Sequence, residues 1–223
     1  MSDPTRKQAN EVRQRRVSKE AALRYVQSRD PRRYRRTSQE EHFVRAWLRL
    51  LPPRALIWDC PCGTGRFVTT AVDMGFRYAG GDSSNAMMEH ARKVSSAPQA
   101  LGFVCCDAEH LPLRDNSVDC VLLWRLLHHI VEPEVRVQML REAARVTRHQ
   151  VLVTFHHPIS VTSVRRWVQR KAFGRKEGGG EITQRRLRRE AAGCGLRLVE
   201  TKSFGKYRSV NWFALLNKQS AAQ

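Results

Sequence analysis

The chain has no uninterrupted apolar run of the roughly 18 residues that a membrane-spanning helix needs. Its most apolar stretch, residues 118–130, is broken by Asp119, Arg125, His128 and His129. No apolar segment of the secretory kind opens the sequence, which is basic from Arg6 onward. The arginines there would suit a mitochondrial transit peptide, but Asp3, Glu11, Glu20 and Asp30 argue against one. The six cysteines, Cys60, Cys62, Cys105, Cys106, Cys120 and Cys194, do not form the spaced framework of a small secreted domain. They are expected as free thiols in a reducing compartment. Neither they nor the pairs His128-His129 and His156-His157 follow a zinc-binding spacing, so no metal is expected. The expected location is cytoplasmic, either free or peripheral to the inner face of a membrane.

Acidic residues are scarce: 21 Asp and Glu face 40 Lys and Arg in 223 residues, a net charge of +19. The imbalance is localised. Residues 1–36 hold 12 basic and 4 acidic residues, 37–160 hold 13 of each, and 161–190 hold 10 and 3. A neutral core carrying basic accessory elements has this pattern, although a merely soluble arginine-rich surface has it too.

The apolar periodicity supplies the elements. Residues 8–28 have a weak helical stripe, and Arg32, Arg33, Arg35 and Arg36 read as a charged linker. Ser38, with Glu41 three residues on, reads as a capping box opening a helix that Pro52-Pro53 ends. From Arg54 strands and helices alternate. Strands are expected at 55–58, 78–81, 102–106, 118–124 and 151–155, with helices at 66–74, 86–94 and 133–146 between them. That rhythm predicts a Rossmann-like, mostly parallel seven-stranded sheet with helices on both faces. A last helix from Thr183 to Ala192 and two final strands, 196–200 and 210–216, complete it. The expected organisation is a basic helical arm at 1–36 and one domain at 37–223. Residues 158–181 form a basic insertion or lid within that domain, with a short helix near 164–168.

One segment carries chemistry: Asp59-Cys60-Pro61-Cys62-Gly63-Thr64-Gly65, between a strand and a helix. Gly63 and Gly65 let the backbone turn tightly and approach a ligand with no side chain between. A helix starting near Arg66 would aim its N-terminal amides at the same place. Asp82 ends the next strand, 23 residues on, where an acid suits the hydroxyls of a ribose, and Asp107 ends the third strand. A nicotinamide dinucleotide is disfavoured, because G-x-G here is followed by Arg66-Phe67-Val68 with no third glycine.

Residues 56–155 resemble the class I S-adenosylmethionine-dependent methyltransferases, within them the type 11 group. Asp59-x-Pro-Cys-Gly-Thr-Gly resembles the family's glycine-rich motif, with Pro61 in place of its first glycine. Asp107-Ala108-Glu109-His110-Leu111-Pro112-Leu113 resembles its D-A-x-x-L-P segment, and Leu127-His128-His129 a signature near the methionine end. The resemblance implies that the last strand of the sheet is antiparallel, and it implies S-adenosyl-L-methionine as cofactor. It implies that Asp59, Cys60, Pro61, Cys62, Gly63, Gly65, Asp82, Ser83, Asp107, Ala108, Trp124 and Arg125 line its site. Methyl transfer to a high-pKa oxygen or nitrogen also needs a base. His156 and His157, after the fifth strand, are the leading candidates, and His128 and His129 follow. Phe43, Trp47, Trp124, Arg125, Trp167 and Tyr207 are candidate linings of the acceptor pocket.

Three readings of the basic blocks stand. Arg165, Arg166, Arg170, Arg185, Arg186 and Arg189 would clamp a small or lipid- or glycan-linked anionic acceptor bidentately. The blocks would instead hold RNA or other nucleic-acid phosphates, though no recognisable RNA-binding motif accompanies them. Or the arm would lie on an anionic membrane face. The type 11 resemblance favours the first. A non-catalytic, cofactor-binding partner protein is the remaining alternative.

Overall fold

The computed structural model describes residues 31–94, 100–159, 180–204 and 209–219, and the side chains among them except those of 31–38 and 94. The first helix, α1, runs Pro31–Leu48. Arg32–Arg36 are therefore helical rather than a linker, and Ser38 and Glu41 lie inside the helix rather than capping it. The physical reason lies in the residues before Ser38. Proline is well suited to the first helical position, and arginine is a good helix former. The expected helices at 8–28 and 164–168 and most of the expected lid lie outside the described residues.

The sheet has seven strands: β1 Leu56–Asp59, β2 Arg77–Asp82, β3 Ala100–Cys105, β4 Val118–Leu123, β5 Thr147–His156, β6 Leu196–Ser203 and β7 Asn211–Lys218. Their order is β3-β2-β1-β4-β5-β7-β6, and only β7 runs against its neighbours. The connecting helices are α2 Val68–Asp73, α3 Asn85–Val94, α4 Pro133–Val146 and α5 Gln184–Ala192. A short 3₁₀ turn spans Leu127–His129. The chain winds outward from β1 to β3, then restarts on the other side with β4. The β1–β4 pair is thus the switch point, where the carboxyl ends of the strands open a crevice.

Strand alternation builds a core on each face. Along β4, Cys120 and Leu122 join Val44, Trp47 and Leu48 of α1, Val68 and Ala71 of α2, and Met88 and Ala91 of α3. Val121 and Leu123 join Met139, Leu140 and Ala143 of α4 with Leu187 and Ala191 of α5. Thr183 caps α5 as its sequence suggests, its hydroxyl accepting from the Arg186 amide at 3.1 Å. Arg136, inside α4, is 1% exposed. It is tolerated there because its guanidinium forks onto both Glu190 oxygens at 2.6 and 3.1 Å and reaches the Ile130 and Val131 carbonyls. No helix among the described residues is long and apolar enough to cross a membrane.

Candidate active site

The glycine loop leaves β1 at Asp59 through a cis Cys60–Pro61 peptide. Two contacts stitch it to β2, and a third closes the loop on itself. The Cys62 amide donates to the Gly81 carbonyl at 2.8 Å, the Gly63 amide to the Asp82 carboxylate at 3.0 Å, and the Gly65 amide closes a turn onto Cys62. Gly63 and Gly65 sit at φ +57° and +78°, a region that disfavours a side chain. A Cβ on Gly63 would meet nothing within 4 Å, so the backbone here borders open space. Helix α2 starts at Val68, two residues later than expected, and has only six residues. The turns over residues 63–67, rather than a helix beginning at Arg66, therefore follow the glycines.

The strand-end acids differ in environment. Asp59 is 1% exposed, accepts the Tyr78 hydroxyl at 2.7 Å through Oδ2, and has no hydrogen bond on Oδ1. Burial pushes its carboxyl up to about 7, against the pull of Tyr78 and Arg66. Asp82 is 9% exposed. Burial raises it too, opposed by the amides of Ser84, Gly63 and Ser83. Its two oxygens accept one amide each from Gly63 and Ser84 and retain lone pairs for a ligand. Ser83 beside it is exposed. Asp107, two residues beyond β3, accepts the Glu109 amide at 3.1 Å, and Ala108 is buried.

Thiols pack beneath the loop. Cys60 and Cys106 approach to 3.9 Å between sulfurs, over Gly81, where a Cβ would lie 2.5 Å from the Cys106 sulfur. Cys62 fills the space over Gly80 in the same way. All six cysteines are free thiols. Among the described residues no group of three or more His, Cys, Asp or Glu is arranged to hold a metal.

Beyond β4, Arg125 adopts φ +55°, a rare conformation for a residue with a side chain. Its amide donates to Thr154 and its guanidinium to Glu40 at 2.8 Å. Glu40, on α1, is 0% exposed and also receives Arg66 at 2.8 Å and the Trp124 indole at 3.0 Å. This carboxylate ties α1 to the residues after the glycine loop and to the end of β4. The only signal was its place on the apolar side of α1, four residues before Val44.

Three of the four candidate histidines come together at the ends of β4 and β5. His128 packs against His129 and stacks on His156, each pair with ring centroids 3.9 Å apart. His157 turns away onto Trp212, at 4.5 Å, and its Nδ1 accepts the Ile159 amide. Burial holds His157 below the ordinary imidazole value. Trp47 and Trp124 lie in the core with Phe213, and half-buried Phe43 and Phe204 pack against it. Trp167 and Tyr207 lie outside the described residues, as do Arg165, Arg166 and Arg170.

With this geometry in view, likeness to known proteins becomes informative. The family model described as "Methyltransferase domain" matches residues 58–155, the stretch holding the glycine loop, Asp82, Asp107 and the histidine pair after β4. This segment is a methyltransferase domain. The family's methyl donor is S-adenosylmethionine. An uncharacterised 37.1 kDa protein in transposon Tn4556 of Streptomyces fradiae is 39% identical over 93 residues, covering 40% of this chain and 26% of that protein. A probable tRNA methyltransferase 9B of Mus musculus is 30% identical over 103 residues, covering 46% and 22%. The methyltransferase domain's chain thus spans about a quarter of the length of these curated relatives. The solved magnesium protoporphyrin IX methyltransferase of Synechocystis PCC 6803, with S-adenosylhomocysteine bound, shares the fold. Its TM-score is 0.76 at 17% identity, over 94% of this chain and 99% of that one.

Proposed function

We propose that this chain transfers a methyl group from S-adenosylmethionine to an oxygen or nitrogen of an anionic acceptor. The carrying observation is Asp82 at the end of β2. Its carboxylate is oriented by Gly63 and Ser84 amides beside backbone that borders open space. A buried, fixed acceptor next to side-chain-free backbone fits a nucleoside, so the residues present suit the family's cofactor. When bound, S-adenosylmethionine supplies an electrophilic methyl carried on a sulfonium.

The chain's own residues have these roles. Asp82 accepts the ribose hydroxyls, with Ser83 alongside. Asp107 and the Ala108 amide read the adenine. Cys60, Pro61, Cys62, Gly63 and Gly65 shape the wall, with Asp59 beneath them, and Trp124 and Arg125 close the side at β4. Displacement at carbon demands alignment and exclusion of water, which a rigid, stitched loop favours. Where the acceptor needs a base, His156 is the better placed. His157 commits Nδ1 to the Ile159 amide, which leaves its proton on Nε2. His156 stacks on His128 at the strand end.

The acceptor we favour from the type 11 resemblance is small, or linked to a lipid or glycan, and the basic excess supports its anionic character. RNA is a second reading, supported by the 30% identity to a probable tRNA methyltransferase. A cytoplasmic location, free or at an anionic membrane face, accompanies either.

Calorimetric titration with S-adenosylmethionine, comparing the wild type with Asp82→Ala, tests the core of this reading. Binding in the micromolar range, weakened at least about tenfold by the substitution, is the expected result, since a hydrogen bond to a charged acceptor contributes about 1.5–3 kcal/mol. A folded wild-type protein that binds neither S-adenosylmethionine nor S-adenosylhomocysteine overturns it.

A further inference from the structure

The α5 helix presents an unusual outward face. Its sequence, Gln184-Arg185-Arg186-Leu187-Arg188-Arg189-Glu190-Ala191-Ala192, puts Leu187 and Ala191 in the core and leaves all four arginines exposed. Thr183, Arg185, Arg186 and Arg189 line one open depression. The helix's only acid does little to neutralise this face. Glu190 is nine-tenths covered and bound on both oxygens by buried Arg136, with Arg186 adding a third contact at 3.0 Å. Among the described residues Arg185, Arg188 and Arg189 have no acidic partner within ion-pair distance.

The face is also fastened to the mouth. Ile182 donates its amide to the His156 carbonyl at 2.7 Å, and Glu181 pairs with His156 as a parallel bridge. Gly180 lies so close to the Ile130 carbonyl that a Cβ there would collide with it. Arg136 ties the Ile130 and Val131 carbonyls to Glu190. The basic face therefore begins at the end of β5, where the histidines gather, and leads away from it.

We infer that the outward face of α5 is a docking surface for the phosphate backbone of RNA, delivering that polymer to the β4–β5 side of the mouth. The inference takes RNA, the second of the two acceptor readings, over the small or lipid-linked one, and rests on the methyltransferase reading for the chemistry at the mouth. Charge complementarity carries it. Arg185 and Arg189 are separated by about 6 Å of helix axis, at about 1.5 Å per residue, so the face meets successive phosphates rather than one. An anionic membrane fits less well. A membrane-surface helix turns an apolar face into the lipid, whereas the apolar face of α5 is spent on the core. No large apolar side chain is exposed on this helix.

The test uses the full chain and a fluorescently labelled, mixed-sequence, single-stranded 20-nucleotide RNA, followed by anisotropy across a salt series. The double variant Arg185→Gln, Arg189→Gln should bind at least about tenfold more weakly. Its slope of log affinity against log salt should be shallower by about 1.4, the loss of two phosphate contacts on a single strand. A control pair on other surfaces, Arg77→Gln with Arg114→Gln, should stay within about twofold, as expected if the contacts are local. Circular dichroism melts establish that each variant is folded. Equal weakening by the control pair, unchanged binding by the α5 pair, or no RNA binding by the wild type each overturns the inference. So does loss of binding to phosphatidylserine vesicles in the α5 pair with RNA binding intact. Titration of S-adenosylmethionine into the same proteins separates the two claims. RNA binding that depends on α5 in a chain that does not bind the cofactor sustains the docking surface and sinks the methyltransferase reading.

Discussion

Above β1, β2 and β3 the mouth is made of backbone and carboxylates; above β4 and β5 it is made of imidazoles and guanidinium groups. On the first side, amides of the glycine loop and of Ser84 fix Asp82, and the thiols of Cys62 and Cys106 occupy the space over Gly80 and Gly81. Little there can move without a collision. On the second side, three clustered imidazoles and a left-handed Arg125 meet the chain that leads into the arginines of α5. The first side suits a ligand that never changes. The second suits an anionic ligand and a proton to be moved.

Glu40 joins the two sides, and removing it is the largest perturbation available. Its carboxylate is wholly buried and holds Arg66 from one side and Trp124 and Arg125 from the other. Glu40→Ala leaves two arginines facing a void. Breaking such a pair costs about 3–5 kcal/mol when the remaining charge is buried. Arg66 and Arg125 retain 15% and 26% side-chain exposure, so the lower end, about 3 kcal/mol, is expected in urea unfolding. Glu40→Gln, which keeps the shape and one acceptor but loses the charge and turns an NH2 toward a donor, should lose about 2 kcal/mol. If both variants unfold with wild-type midpoints, the joint is ornamental and the two sides are independent.

The same contrast governs what could be read before the structure. The β1–β3 side was legible because its constraints are written in residue types. A tight turn demands glycine at 63 and 65, and the acids fall where parallel strands end. The sheet and its winding followed from apolar periodicity, its antiparallel last strand from the family resemblance, and the bounds of α4 were read as they stand. Misreadings arose where two local signals competed. Ser38 and Glu41 satisfy a capping pattern, yet the helix already runs from Pro31. Arg66 and Phe67 look helical, yet the turns that stitch the glycine loop extend through them. Glu40 was invisible because a helical acid is ordinarily solvated. Only the folded chain shows Arg66, Trp124 and Arg125 converging on it from 26 to 85 residues away.

On the β4–β5 side, His156→Asn separates a base from a packing role. Asparagine keeps polarity and approximate volume but cannot take the proton. If His156 is the base, the rate constant for methyl transfer should fall about 100-fold, the lower bound for lost general-base catalysis. The acidic limb of the pH–rate profile should vanish with it. His157→Asn should lower the rate by less than about tenfold and leave the limb in place, since its Nδ1 already serves the Ile159 amide. An intact limb in His156→Asn with the limb lost in His157→Asn would reverse the assignment.

The smallest effect expected lies under the glycine loop, at Asp59. Folding raises its carboxyl from 3.8 to about 7, chiefly by burial. Below about pH 4 it is protonated in both states, and above about pH 7 it is ionised in both. Between these limits the folded chain keeps a proton that the unfolded chain has released. Its contribution to stability is therefore present at low pH and lost as pH rises through that window. Asp59→Asn preserves an acceptor for the Tyr78 hydroxyl and removes the titration. The stability of this variant relative to wild type should increase from pH 5 to pH 8, by about 2 kcal/mol after allowance for relaxation around a buried carboxylate. Urea unfolding at the two pH values measures it. A difference that does not change with pH would mean that Asp59 titrates as an ordinary acid. Burial beneath the loop would then fail to hold the Asp59 proton between those limits.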